Sequence, residues 1–162
     1  MKIKTFILTF LMIMSGSILF GQNSASVANE QDLKDAIAAG RFGEMSITLT
    51  DDLEVTERIN IPVGYTITIN LNGKTITANE DLYAFNNLGT LTIKDNVGTG
   101  GIEARGIYNG ANNPDGNTPI LKIESGIFKN NATNGGAAIY NYSEVIITGG
   151  EFYGEYAAIT NR

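Results

Sequence analysis

Apolar and polar residues alternate in short bursts along this chain, and the bursts repeat. "TITINLNGKTI" (66–76) and "TLTIKDNVGTGGI" (90–102) lie 24 residues apart, so that Ile67 falls on Leu91 and Ile69 on Ile93. "PILKIESGIF" (119–128) and "SEVIITGGEF" (143–152) are again offset by 24, with Leu121 on Val145, Ile123 on Ile147, Gly126 on Gly150 and Phe128 on Phe152. Alternation of period two is the pattern of a strand with one face in a core. Each burst ends in a turn signal: Asn72-Gly73, Asp95-Asn96 leading to Gly98, Ser125-Gly126, Gly149-Gly150. A further apolar residue follows each turn, namely Ile76, Ile102, Phe128 and Phe152.

A second phrase precedes most of these bursts. It reads "AFNN" (84–87), "GIYN" (106–109), "AIYN" (138–141) and "AITN" (158–161): small residue, apolar residue, variable residue, asparagine. Its spacings are 22, 32 and 20, and the widest gap holds "GANNPDGNTP" (110–119), a loop by composition.

Short strands, turn residues at fixed offsets and a period near 24 predict an all-β solenoid of about five coils. One coil cannot bury its apolar residues alone. Stacked coils put Leu91, Leu121 and Val145 in one column, about 4.8 Å apart along the hydrogen-bonding direction. Asn87, Asn109, Asn141 and Asn161 would then form a ladder, each amide donating to its neighbour. Such a ladder favours one register, because a buried amide without a partner is costly. The competing fold is an antiparallel sandwich of short strands, which demands neither matched turns nor matched asparagines.

The N-terminal part breaks the strand pattern. "ANEQDLKDAIAAG" predicts a short helix: Asn29 as N-cap, Glu30 and Asp32 in the first turn, Gly40 as the stop, and Leu33, Ala36 and Ile37 on one apolar face. A solenoid end exposes strand edges and core, so this helix reads as a cap over a first coil that starts at "SITLTDDLEV". Before it, Lys2 and Lys4 precede an apolar stretch from Phe6 to Phe20 that Ser15, Gly16 and Ser17 interrupt. That is the layout of a secretory signal peptide with cleavage after Gly21, and too short and broken for a membrane span. The organisation expected is signal peptide over 1–21, a segment with the capping helix over 22–45, and repeats over 46–162. "AAITNR" opens a new coil, so the repeats are expected to continue beyond Arg162.

The chain holds neither cysteine nor histidine. Disulfides, most zinc sites, a Ser-His-Asp triad and a thiol nucleophile are therefore excluded. Losing Lys2 and Lys4 takes the 11 basic residues to 9 against 17 acidic, a net charge of −8. Such a surface repels nucleic acid and anionic lipid.

The stretch "INIPVGYTITINLNGKTITA" followed by "LGTLTIKDNVGTGGI" resembles the right-handed parallel β-helix repeats of bacterial surface and adhesin-like proteins, within the pectin-lyase-like superfamily. The resemblance covers the chain from about residue 27 onward and implies that fold. It does not choose a function, since the superfamily holds polysaccharide lyases, glycoside hydrolases, adhesins and passenger domains. Its lyases use an acidic calcium cluster beside an arginine or lysine base. The outward positions here, Thr66/Thr68, Thr90/Thr92, Lys122/Glu124 and Ile146/Thr148, form no carboxylate column. Asp51-Asp52, the only adjacent aspartates, read as turn residues.

A non-catalytic module follows as the leading reading: secreted or at the bacterial cell surface, binding a polysaccharide or host glycan, or serving as adhesin or stalk. No catalytic residue, cofactor or metal is expected, and no membrane insertion after signal cleavage. Tyr108 and Tyr140 hold the variable place of the asparagine phrase and point outward beside inward Ile107 and Ile139, where their rings could stack on sugars. Arg105, between small residues, is expected to be solvated. The alternative reading is the front part of a lyase or hydrolase whose groove lies on later coils. A distant third is ice binding, from the Thr-x-Thr pairs at 66/68 and 90/92 that Lys122/Glu124 interrupts.

Overall fold

The computed structural model describes residues 23–110, 116–133 and 135–162, so the signal peptide expected over 1–21 lies outside the described residues. The described residues open with strand β1 (Asn23–Val27), helix α1 (Glu30–Ala39) and a short 3-10 turn, Gly40–Phe42. Five coils of three strands follow. They are β2 (Glu44–Leu49), β3 (Leu53–Val55) and β4 (Ile59–Ile61); β5 (Thr66–Asn70), β6 (Thr75–Ala78) and β7 (Tyr83–Asn87); β8 (Thr90–Lys94), β9 (Gly101–Ala104) and β10 (Gly106–Asn109); β11 (Ile120–Ile123), β12 (Ile127–Asn130) and β13 (Ala137–Asn141); β14 (Glu144–Ile147), β15 (Glu151–Tyr153) and β16 (Ala157–Asn161).

Equivalent strands of successive coils stack into three sheets. The first sheet runs β1-β2-β5-β8-β11-β14, the second β3-β6-β9-β12-β15 and the third β4-β7-β10-β13-β16. Every pair among the described strands is parallel, with registers such as Thr66↔Thr90, Ile127↔Gly101 and Ile107↔Ile139. That excludes the antiparallel sandwich and makes the chain a parallel β-solenoid of about six turns.

The sixth turn is the difference from the sequence reading. β1 pairs with β2 from Asn23↔Met45 to Val27↔Leu49, so the first sheet begins one rung before the helix. Its sequence, NSASV, gives little warning: only Val27 is buried and Ala25 partly so. In this first turn α1 stands where the later coils place their second and third strands. Asn29 caps it, accepting from the Asp32 N–H at 2.9 Å, Gly40 ends it, and Leu33, Ala36 and Ile37 are buried against the coil below. Glu30 ties the helix to that coil, accepting from the Thr56 hydroxyl at 2.8 Å and pairing with Lys34 at 2.9 Å. Burial opposes ionisation of Glu30, yet Lys34, Thr56 and the Glu57 amide outweigh it and draw its pKa to about 2.

The core is a set of columns. One is Ile47–Ile69–Ile93–Ile123–Ile147, another Leu53–Ile76–Ile102–Phe128–Phe152, a third Ile59–Phe85–Ile107–Ile139–Ile159. Each fully buried Ile, Leu or Phe contributes roughly 1.5–3 kcal/mol, and identical spacing lets each pack on the one before. Phe128 and Phe152 stack at 5.1 Å with their planes 12° apart.

The corners are held by polar groups. Asn72 and Gly73 turn with φ of 53° and 77°, a left-handed conformation that an Asn-Gly pair adopts at little cost. Above them Asp95, 6% exposed, accepts from the N–H groups of Gly73 (2.7 Å), Gly98 (2.7 Å) and Gly100 (2.8 Å). Burial disfavours its charge, but these donors prevail and hold the carboxyl below its ordinary value.

Candidate functional site

Three outer faces are available, one per sheet. The first carries Ser46, Thr68, Thr92, Lys122 and Ile146 in successive rungs. Its threonine pairs are in register, and the rung that ends them is Ile120/Lys122 rather than the expected Lys122/Glu124, because Ile120 pairs with Thr90 and Lys122 with Thr92. The second carries Glu54, Thr77, Glu103, Lys129 and Tyr153, with Lys129 bonded to Glu103 at 2.7 Å. Asp51 and Asp52 lie exposed in the turn before β3, where Asp52 accepts from the Thr75 N–H of the next coil at 2.8 Å. Among the described residues no group of three or more acidic side chains is placed to hold a metal ion.

The third face is different in kind. Its outward column is Asn60, Asn86, Tyr108, Tyr140 and Thr160. Asn86 donates to Asn60 at 2.9 Å. Tyr108 and Tyr140 are register partners on adjacent rungs, but their rings do not stand as two parallel free plates. The Tyr140 hydroxyl accepts from the Ala137 N–H at 3.1 Å, which lays that ring back along its own strand. Two further tyrosines join them. Tyr83 meets Tyr108 edge to face at 5.6 Å and Tyr140 at 5.2 Å, and Tyr142 lies 5.2 Å from Tyr108. Burial pushes the Tyr108 hydroxyl above its ordinary value; Tyr142 and Tyr83 add to this and nearby Arg58 opposes it.

Arg58 and Arg105 complete the cluster, with guanidinium carbons 5.1 and 5.4 Å from the Tyr83 ring centre. Arg105 is thus not the solvated turn residue that its small neighbours suggest. Its side chain is 31% exposed, and among the described residues its one ion-pair partner is Asp81 at 3.7 Å and its buried Nε has no hydrogen-bond partner. The tertiary reason is Tyr83, whose ring offers a face to which the guanidinium is drawn.

Sequence reading missed Tyr83, Tyr142 and Arg58. Tyr142 had a signal, since Tyr140 and Tyr142 flank inward Asn141 in plain alternation. Tyr83 had the wrong one. Counting back from Asn87 by alternation would turn Tyr83 inward, but β7 holds an extra residue there: Gly106 faces Tyr83 while Ile107 faces Phe85. This bulge buries both Ala84 and Phe85 and turns Tyr83 out. Arg58 lies outside the repeated phrases altogether.

Beneath this face runs the asparagine column. Asn87 donates to Asn109 at 2.7 Å, Asn109 to Asn141 at 2.6 Å and Asn141 to Asn161 at 2.6 Å. The same amides also donate to backbone carbonyls around the corner, Asn87 to Ile120 at 3.0 Å and Asn109 to Glu144 at 2.8 Å. The column therefore ties the third sheet to the first and supports the strand ends that carry Tyr108, Tyr140 and Tyr142. At the helix end of the face, a groove of about 300 Å³ lies between α1 and β4, lined by Lys34, Ile37, Glu57, Arg58, Asn60 and Tyr65 among others.

No family model matches the chain, and neither does any curated protein or solved structure.

Proposed function

We propose that this chain is a non-catalytic parallel β-helix module that binds carbohydrate on its third-sheet face, acting as an adhesin or a stalk. The proposal includes membership of the pectin-lyase-like superfamily, whose bacterial surface and adhesin-like members its repeats resemble, and export through the Lys2–Phe20 signal. One observation carries the binding reading: four tyrosines and two arginines from four successive coils gather on one face, while the chain as a whole carries a net charge of −6. Tyrosine rings offer sugars a large apolar contact with a polar tip, and they lose little entropy because they are already packed together.

The test is titration calorimetry of the exported chain with short neutral and acidic oligosaccharides, alongside a Tyr108→Ala/Tyr142→Ala variant. Binding weakened by about tenfold or more in the variant is expected, from the loss of two ring contacts. No binding to any oligosaccharide, or equal binding by the variant, refutes the reading. Release of new reducing ends or unsaturated products would move the conclusion to a lyase or hydrolase. N-terminal sequencing of the exported chain should begin at Gln22, and an intact Met1 in a membrane fraction would refute cleavage.

A further inference from the structure

Arg58 and Arg105 reach Tyr83 from opposite directions along the stack. Arg58 precedes β4, one rung before Tyr83, and Arg105 precedes β10, one rung after it. Both guanidiniums lie over the same ring, a contact that spends none of their N–H donors. Those donors are largely unspent. Arg58 has no carboxylate within 4.0 Å among the described residues, and Arg105 reaches only exposed Asp81, at a distance too long for a hydrogen bond. The buried Nε of Arg105 has no hydrogen-bond partner among the described residues. Asn60 and Asn86 beside them add neutral amides and no negative charge. Lys34, at the edge of the neighbouring groove, is engaged by Glu30 and Glu57.

We infer that this pair takes the anionic group of an acidic saccharide, a carboxylate or a sulfate ester, while Tyr108 and Tyr142 hold its ring. The inference rests on the carbohydrate reading above and specifies its ligand class. A guanidinium presents a planar fork of donors that matches both oxyanions, and one held against an aromatic ring has already lost the freedom that binding would otherwise remove. A nucleic acid would bring its other phosphates against a chain of net charge −6, whereas an acidic sugar places one charge at the arginines and a neutral ring on the tyrosines.

The experiment titrates the full chain with three short oligosaccharides of equal length: a neutral glucan, a polyuronate and a sulfated galactan. Each is measured at low and at physiological salt, for the wild type, Arg58→Gln, Arg105→Gln and the double variant. Circular dichroism checks that each variant keeps its sheet signal. Arg58 is exposed, so Arg58→Gln remains informative even if Arg105→Gln unfolds. At least one acidic ligand is expected to bind about tenfold or more tightly than the glucan. That margin should shrink with salt and disappear in the double variant, whose affinity for the acidic ligand falls to its affinity for the glucan. The uronate and sulfate arms show which oxyanion is preferred. Equal affinity for all three ligands, unaltered by the arginine changes, overturns the anion site and leaves the carbohydrate reading standing. An acidic preference that survives both substitutions overturns the assignment to these residues. Absence of binding to all three refutes both conclusions.

Discussion

The rings of Tyr83 and Tyr140 meet edge to face at 5.2 Å, although a whole strand separates β7 from β13. That strand is β10, and opposite Tyr83 it carries Gly106. No side chain there fills the space, so one ring crosses the rung to reach the other. Gly106 also has a φ of 135°, and a Cβ on it would lie 2.5 Å from the Ala137 carbonyl oxygen. The aromatic face and the backbone of the third sheet thus depend on the same residue.

Gly106→Ala should therefore cost about 2 kcal/mol or more, from backbone strain and the clash with β13. Urea unfolding followed by circular dichroism measures it, and near-ultraviolet dichroism should report altered tyrosine packing. A loss below about 0.5 kcal/mol, the range of ordinary surface changes, would mean that the strand relaxes freely at this point.

The inner and outer asparagine pairs should respond differently. Asn109→Ala takes one hydrogen-bond partner each from buried Asn87 and Asn141 and frees the Glu144 carbonyl, and should cost about 1–3 kcal/mol. Asn86→Ala breaks only the outer bond to Asn60 and should stay within about 0.5 kcal/mol. Equal losses at the two positions would show that the inner column has no special hold on register.

Acid should expose the role of Asp95. Its folded pKa lies below the ordinary 3.8, so its stabilisation is complete above that value and is lost as pH falls through the lowered folded value. Glu30, drawn from 4.5 to about 2, acts in the same direction. Unfolding free energy should fall below about pH 4, and Asp95→Asn should be less stable at pH 7 and show a shallower acid limb. Chemical denaturation across pH 2–7 decides it; identical slopes for both proteins would remove Asp95 as a source.

One column predicts a gradient. Ile93 is fully buried and Ile147 is 38% exposed, though they share a register column. Ile93→Ala should cost about 3–4 kcal/mol and Ile147→Ala less than about 1.5, since a half-exposed site leaves little cavity. Comparable losses would mean that Ile147 is covered in solution.

The stacking register was legible because it depends on spacing. Leu121 above Val145 and Phe128 above Phe152 follow from a 24-residue offset, and coils of equal length can bury equal residues only in that register. The helix was legible for a local reason: Asn29, Leu33 and Gly40 act within one or two turns of chain. β1 was not, because NSASV contributes only Ala25 and Val27 to the interior and is held mainly by backbone bonds to a strand with far clearer alternation.

On the outer face, alternation with the buried positions was enough to set Tyr108 and Tyr140 on adjacent rungs. Tertiary structure alone decided what surrounds them. Alternation is a relation between neighbours along the chain, and the extra residue in β7 inverts it for Tyr83. The placing of Arg58 and Arg105 over Tyr83 is a relation across three coils, set by the stacking of corners that share no sequence pattern.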